Sequence, residues 1–477
     1  MMSKDNKMKK DNFDSTAELT TNPGFQSSLS ITSKNDKPYN PFEHRSLEHP
    51  NSTIGSIVHL LKACLGTGLL AMAAAYKNCG LLAGSFCTVI AGLICTHTVH
   101  LLVKTSQDVC VDAKKPSMSF AETCGAAFTH GPKKLQSWGG FVKNFVDYST
   151  LLTYISVLIV YIVFIGSSLE EVFMAYIPEY EISVQACCAL TLVPLALICQ
   201  VRNLKYLVPF SLIANALILV VFGITFYYVF SDLPSPSERE MVVDITKWPL
   251  FFSTVIFAIE GIGVVMPVEN EMAHPQKFLG CPGVLNTSMT IVVLLYGLVG
   301  FFGYLQFGDE VKGSITLNLP QDEILAQTAK LLMALVILFS YALQFYVPME
   351  IITRLLLNRL SNRLNNLIQI IIRIFIVIST VAVAAAFPNL ELVISFVGAI
   401  FFSTLGILIP AVVHTVYNWD RGLGKFNYIL YKNILLGCVS IFALASGAYV
   451  SALQMAEELN GNGIEESTGN LTLTDNS

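Results

Sequence analysis

Long apolar segments separated by polar connections constrain this chain more than any other feature of its sequence. A membrane-spanning helix needs about 20 mostly apolar residues, and roughly 11 such segments occur in the chain. They lie at 56–76, 81–103, 141–165, 184–200, 207–230, 250–268, 285–307, 324–347, 367–387, 392–417 and 429–453. Hydrophobic residues make up 53% of the 477 and charged residues only 13%. The sequence therefore predicts an all-α integral membrane protein.

Two of these segments contain a Gly-x-Gly sequence, at 66–68 in the first and at 261–263 in the sixth. Glycine weakens a helix, and backbone that lacks helical hydrogen bonds is tolerated at membrane depth only where it lines a cavity or faces protein. Close helix packing would explain either pair alone. Together the pairs indicate a 5+5 inverted repeat, 54–230 and 249–417, with broken helices 1 and 6 and an extra C-terminal helix at 429–455.

The residues around the two breaks form the predicted substrate site. A half-helix that begins after the first break directs free N–H groups and a positive dipole end into it, which suits a carboxylate. The half-helix that ends near the second break offers free carbonyl groups, which suit an ammonium group. A zwitterionic amino acid fits both ends. The predicted substrate-binding residues are Gly66, Thr67, Gly68, Phe257, Glu260, Gly261 and Gly263.

Two ionisable residues at membrane depth are the predicted proton-coupling groups, Glu260 and His59. Ionisable side chains within a span are costly and usually face the bundle interior, and histidine exchanges a proton near neutral pH. The alternatives are that Glu260 only caps broken backbone and that His59 hydrogen-bonds a neighbouring helix. Because Thr67 offers the one side-chain oxygen in the first Gly-x-Gly, the sequence favours protons over sodium as coupling ion and leaves sodium as an alternative.

Motifs for catalysis and metal binding are missing from the sequence. There is no Cys-x-x-Cys among the 11 cysteines and no His/Cys cluster with metal spacing. A P-loop, a Gly-x-Ser-x-Gly and a His-Glu-x-x-His are also missing. We therefore expect no enzymatic activity, no metal site and no cofactor, so that transport would be driven by an ion gradient.

Basic residues predict the orientation, since Lys and Arg concentrate in cytoplasmic connections. Most of the 29 lie in the amino-terminal tail and in alternate connections. We expect a disordered cytoplasmic tail at 1–53, a transporter domain at 54–455 and a short extracytoplasmic tail at 456–477. The last of these carries Asn470, an N-glycosylation candidate. The basic residues on the opposite side are Lys77, Arg239, Lys247 and Lys312.

One short motif lies in the amino-terminal tail. Tyr39-Asn40-Pro41-Phe42 has the Tyr-x-x-apolar form that endocytic adaptors read in extended peptides. Such four-residue patterns also arise often by chance. Adaptor binding there is one hypothesis, and it would fit either a plasma-membrane or an endolysosomal protein.

Five stretches resemble the proton-coupled amino acid transporters of the amino acid/auxin permease group, within the superfamily that has the LeuT-like inverted-repeat fold. They lie at 59–70, 257–270, 304–308, 315–320 and 341–348. The resemblance implies 11 spans, a cytoplasmic amino terminus and symport of protons with small amino acids. It also implies that His59 matches the family histidine tied to proton coupling.

The predicted function is proton-coupled symport of small neutral amino acids by alternating access, in the plasma or endolysosomal membrane. The expected partners are the amino acid and membrane lipids, and no nucleic acid. Two alternatives remain: an amino-acid sensor that signals through its cytoplasmic tail, and a sodium-coupled transporter of the same fold.

Overall fold

The computed structural model describes residues 39–45, 47, 50–202, 206–231, 233–259, 261–356 and 362–474. These residues form helices and connections and contain no β-strand; Asn51 and Met272 form an isolated parallel bridge. Glu260 and residues 1–38 lie outside the described residues, as does the side chain of Asn470.

The first half of the membrane region contains eight α-helices within the described residues. They are α1 (Thr53–Cys64), α2 (Thr67–Lys77), α3 (Leu81–Asp112), α4 (Phe120–Thr129), α5 (Gly139–Tyr176), α6 (Val184–Leu190), α7 (Leu192–Ile198) and α8 (Val208–Phe230). The helix α4 lies in a connection where the sequence analysis predicted no span. A capping box begins it: Ser119 Oγ accepts from the Glu122 N–H, and the Glu122 carboxylate accepts from the Ser119 N–H.

The second half has a matching order of helices. They are α9 (Trp248–Ile259), α10 (Ile262–Asn270), α11 (Val284–Phe307), α12 (Ile324–Leu356), α13 (Asn362–Ala386), α14 (Leu390–Val397), a π-helical segment Gly398–Leu408, and α15 (Ile409–Asn418). The last helix, α16 (Tyr428–Thr474), follows as the extra one.

The helices confirm the predicted membrane architecture. Within the described residues, nine helical segments are long and apolar enough to cross a membrane, and the bent pair α1 and α2 makes a tenth. The pair α6 and α7 forms a shorter apolar stretch, Val184–Ile198, at the fourth predicted segment. Pro194 lies in the first turn of α7, where backbone N–H groups have no acceptor within the helix. The N–H that proline lacks therefore removes no hydrogen bond from α7. With that pair the described part of the chain contains about 11 candidate spans.

Both predicted breaks are present. The helix α1 ends at Cys64, and α2 begins at Thr67 with an axis bent by 53° from that of α1. The helix α9 ends at Ile259, and α10 begins at Ile262. The broken helices of the two halves pack against each other: α2 lies along α9, and α1 lies against α10. The two broken helices therefore face each other through both halves of the bundle, as an inverted repeat requires.

The structure differs from the predicted boundaries at both ends of the membrane region. Residues 41–44 of the predicted disordered tail form a short 3-10 helix, and Asn51 pairs through its backbone with Glu271 and Ala273. Hydrogen bonds to α10, described below, explain why this segment is ordered despite its polar composition. At the other end, α16 continues past residue 455 because Ala456, Glu457 and Glu458 favour helix although they end the apolar stretch.

Candidate functional site

A cavity of about 120 Å³ lies between the two breaks. The helices α5 and α12 and the π-helical segment close it on the other sides. The predicted substrate-binding residues that the structure describes all line it: Gly66, Thr67, Gly68, Phe257, Gly261 and Gly263. Glu260 stands between Ile259 and Gly261 in the sequence and lies outside the described residues.

His59 does not line this cavity. It lies on α1 with an exposed side chain. Lys62, one turn further on, donates from Nζ to Ser211 Oγ of α8 at 3.2 Å. Proton coupling through His59 would therefore act from outside the cavity, and the role of this residue stays a prediction.

The two helix breaks place four helix ends at the cavity. The first N–H groups of α2 and α10 come directly after Gly66 and Gly261. No preceding turn of the same helix supplies carbonyl acceptors for these N–H groups. The carboxyl ends of α1 and α9 meet at Tyr296 of α11. Tyr296 is fully buried. Its hydroxyl contacts the carbonyl oxygen of Cys64 and lies 3.0 Å from the carbonyl oxygen of Ala258. Donors and acceptors for a zwitterion thus lie within one small space.

The four glycines of the breaks have two different roles. A Cβ at Gly68 would lie 2.7 Å from the Ala258 Cα, and one at Gly263 would overlap the Tyr154 hydroxyl. At Gly66 nothing lies within 4 Å of the added Cβ, and at Gly261 the nearest atom is Cys64 Sγ at 3.6 Å. Gly68 and Gly263 therefore allow close packing of the helices. Gly66 and Gly261 leave space for a ligand.

Side chains from α5 and α12 complete the cavity, and the sequence analysis missed them. The side chains of Tyr161 on α5 and Gln344 on α12 both line it. Among the cavity-lining residues that the structure describes, none carries a formal charge. A polar residue inside an apolar span is the signal that could have identified Gln344. The lining residues added by the structure include Thr150, Thr153, Tyr154, Tyr161, Gln344 and Phe402.

Comparison with known proteins identifies the family. The family model described as "Transmembrane amino acid transporter protein" matches residues 49–453. The chain belongs to this family. It is also 40% identical over 424 residues to "Proton-coupled amino acid transporter-like protein pathetic" of Drosophila melanogaster, and the alignment covers 89% of each chain.

Two further similarities are more distant. This transporter is 30% identical over 321 residues to "Vacuolar amino acid transporter 3" of Saccharomyces cerevisiae, which covers 65% of this chain and 43% of the yeast protein. Its fold resembles the inward-facing conformation of Mhp1, with a TM-score of 0.52 and 11% identity over 92% of this chain and 96% of Mhp1. At that identity the likeness shows the fold alone.

A second cavity of the transporter, about 310 Å³, adjoins the first. The two share Phe120, Thr150, Tyr154 and Gly263. The second cavity extends along α4 and the neighbouring ends of α5, α10 and α12. It forms a vestibule between the cavity at the two breaks and the side of the bundle that carries α4, called here the α4 side.

Ion pairs bracket the cavity on both sides of the transporter. On the α4 side, Arg45 pairs with Glu269 of α10 at 3.1 Å, and Arg354 of α12 pairs with Asp147 of α5 at 2.6 Å. The opposite side has two further groups. In a transporter that works by alternating access, the contacts on one side of the cavity open while those on the other side stay closed, and ion pairs in these positions are contacts that such a motion breaks. The pairs opposite α4 join Lys77 to Glu391 at 3.0 Å, Lys330 to Glu171 at 3.1 Å, and Lys312 to Glu171.

The pair between Arg45 and Glu269 holds the amino-terminal segment to α10. The two side chains are 5% and 2% exposed, and Gln107 of α3 donates to the same carboxylate at 2.9 Å. Arg45 also donates to the carbonyl of Pro116 and stacks over the Phe42 ring. Without this pair, residues 41–45 lose their main polar contact with the bundle.

We expect Arg45→Ala to release this segment in the detergent-solubilised transporter. Breaking a buried ion pair costs about 3–5 kcal/mol. If the free energy of local opening falls by even part of this amount, the segment becomes more accessible to protease. Chymotryptic cleavage after Phe42, followed by mass spectrometry, should become at least about tenfold faster. Lys104→Ala is the matched control, because its pair with Asp108 is exposed. Equal cleavage rates in both variants would show that Arg45 does not hold the segment.

Proposed function

We propose that this chain is a proton-coupled symporter of small neutral amino acids that works by alternating access. The observation that carries the proposal is the small uncharged cavity at the meeting point of the two helix breaks. Helix amino ends there suit a carboxylate, and carbonyl groups at the opposite helix ends suit an ammonium group. An amino acid presents both groups on one carbon atom.

The size and polarity of the cavity support a small neutral side chain. Pockets for drug-sized ligands measure roughly 300–1,000 Å³, whereas this cavity measures about 120 Å³. A charged side chain would also have to be buried without a counter-ion from the described lining residues, which is unfavourable. Phe257 and Phe402, whose ring centroids are 5.4 Å apart, supply an apolar wall.

Protons as the coupling ion are supported by the sequence and by the name of one relative. The Drosophila relative is called proton-coupled. Glu260, beside the second break, and His59, on α1, are the proposed proton-coupling groups. No metal or organic cofactor is needed for this mechanism.

In the transport cycle, substrate would bind at the two breaks while one layer of ion pairs is open. Closing that layer and opening the other would then release substrate to the opposite side. The vestibule supplies the route on the α4 side. The excess of basic residues on that side supports a cytoplasmic amino terminus, with residues 456–477 and Asn470 outside or in a lumen.

The location of the protein in the cell is part of the same proposal. The yeast relative is named as a vacuolar transporter, which supports an endolysosomal membrane over the plasma membrane. Adaptor binding at Tyr39-Asn40-Pro41-Phe42 would deliver the protein there. Pro41 is buried and 41–44 is a 3-10 helix, so an adaptor that reads an extended peptide would require this segment to unwind.

The test is uptake of labelled amino acids into proteoliposomes that contain the purified protein. We expect uptake of small neutral amino acids that needs an inward proton gradient and persists when choline replaces sodium. Glu260→Gln should reduce this uptake by at least about tenfold, or 1.4 kcal/mol, and His59→Gln should shift its pH dependence. Uptake that requires sodium would favour the sodium-coupled alternative. Substrate binding with no uptake in any gradient would favour the sensor.

A further inference from the structure

A third cavity lies apart from the substrate site. It measures about 330 Å³ and is formed by the α4-side ends of α12 and α13 and by the connection between α7 and α8. We call it the arginine pocket, because three of its lining residues are Arg202, Arg354 and Arg373. The transport mechanism described above uses only Arg354 of these three.

Arg373 is a buried cation without an anionic partner among the described residues. The residue is 5% exposed. Its Nη1 donates to the carbonyl oxygens of Cys199 at 2.5 Å and Val201 at 3.4 Å, and its Cζ lies 5.9 Å from the centroid of the Phe345 ring. Its Nε is buried and has no hydrogen-bond partner in the part of the chain that the structure describes. Burying a charge in this way is costly unless an opposite charge compensates it.

Arg202 increases this positive charge. It lies close enough to Arg373 for the two guanidinium groups to repel each other. Its hydrogen bonds in the described structure go to neutral groups, from Nη1 to Asn366 Oδ1 at 2.6 Å and from Nη2 to the Asn366 carbonyl oxygen at 3.3 Å. Two arginines thus share one pocket without a salt bridge to any carboxylate in the described residues.

The acidic groups near the pocket do not remove this excess. Asp147 pairs with Arg354 at 2.6 Å. Glu350 lines the pocket, but it is exposed and forms no ion pair among the described residues. The charge that remains uncompensated lies on the buried side of the pocket, at Arg373, where water screens it least.

We infer that the arginine pocket binds a phosphate-monoester anion. Guanidinium groups bind phosphate oxygens through paired N–H donors, and the partnerless Nε of Arg373 is one such donor. The volume of about 330 Å³ falls within the range of small-molecule pockets, so the pocket is large enough for a phosphorylated sugar or inositol ring. The pocket lies on the α4 side, which is the proposed cytoplasmic side. Basic pockets between transmembrane helices on the cytoplasmic side are typical sites for phosphorylated lipid headgroups. The same chemistry would also accept a soluble sugar phosphate.

Binding to the full-length protein in phosphatidylcholine nanodiscs tests this inference. One arm adds phosphatidylinositol 4,5-bisphosphate to the nanodisc, with unphosphorylated phosphatidylinositol for comparison, and measures bound lipid by native mass spectrometry. The other arm titrates soluble inositol trisphosphate into nanodiscs without that lipid. Retention of the phosphorylated lipid alone would identify a headgroup site. Similar binding in the soluble arm would identify a soluble phosphate site.

Three variants connect the binding to the pocket. Arg202→Gln removes an exposed guanidinium, so it should fold normally, and it should weaken binding by about tenfold. Arg373→Lys keeps the buried charge but loses the fork of donors, and it should weaken binding to a similar extent. Arg421→Gln is the matched control, because this arginine pairs with Asp112 away from the pocket. The inference is overturned if neither arm shows phosphate-dependent binding, or if Arg202→Gln and Arg373→Lys bind as tightly as Arg421→Gln.

Discussion

Replacing Gly68 with alanine is expected to reduce amino acid uptake by about tenfold, and replacing it with valine to abolish uptake. The new Cβ would lie 2.7 Å from the Ala258 Cα and 3.2 Å from its carbonyl oxygen, which are backbone atoms that cannot rotate away. The helices α2 and α9 would have to separate beside the cavity at the two breaks. Overpacking of this kind costs about 1–3 kcal/mol, which corresponds to roughly 5- to 150-fold in rate. The measurement is uptake into proteoliposomes, normalised to the amount of folded protein.

Two glycines of the same chain serve as controls for this result. At Gly223, which is exposed on α8, nothing lies within 4 Å of an added Cβ, so Gly223→Ala should transport normally. Gly66→Ala also meets open space, so it should keep the thermal stability of the wild-type protein even if it weakens substrate binding. Normal uptake by Gly68→Ala would show that the two half-helices do not need this close contact.

Replacing Glu171 with glutamine is expected to destabilise the protein by about 3–5 kcal/mol, the cost of breaking a buried ion pair by removing one partner. Glu171 is the acceptor for both Lys330 and Lys312, and its carboxylate also accepts from Gln321 at 3.1 Å. Lys330 is 0% exposed, so its ammonium group would lose its counter-ion without reaching water. The thermal unfolding midpoint in detergent, followed by tryptophan fluorescence, measures the loss.

Two further variants separate this explanation from a general loss of packing. Lys330→Met in the Glu171→Gln background removes the uncompensated charge, and it should recover much of the lost stability. Lys312→Gln alone should change stability by no more than about 1 kcal/mol, because the Lys312 side chain is 48% exposed. If the double variant were no more stable than Glu171→Gln alone, the buried charge would not be the cause.

The sequence was sufficient to predict the membrane architecture and the position of the cavity. Apolar length identified the spans, and the paired glycines located both breaks, because these signals depend on local composition and do not require knowledge of packing. The capping box at Ser119 and Glu122 would also have revealed α4, since its spacing is local. The predicted substrate site contained the glycines and Phe257, which lie next to the breaks in the sequence.

The remaining features depend on which way each helix faces. Tyr154 and Tyr161 reach the cavity from α5, a helix without a break, and nothing local distinguishes their cavity side from their lipid side. Gln344 on α12 carried a local signal only through its polarity within an apolar span. Lys330 lies within the predicted span 324–347, and it is fully buried because Glu171 from α5 compensates its charge. His59 shows the same limit, since a histidine at membrane depth was expected to face the interior and the structure leaves it exposed.

The hydroxyl of Tyr296 has a consequence for how the two repeats respond to substrate. It has one proton to donate and two carbonyl oxygens within reach, that of Cys64 at the end of α1 and that of Ala258 near the end of α9. At any moment the phenol donates its hydrogen bond to the carbonyl oxygen of one repeat or to that of the other. An ammonium group has three protons and can donate to both carbonyl oxygens at once. An amino acid in the cavity would thus join two helix ends that the empty protein can satisfy only in turn.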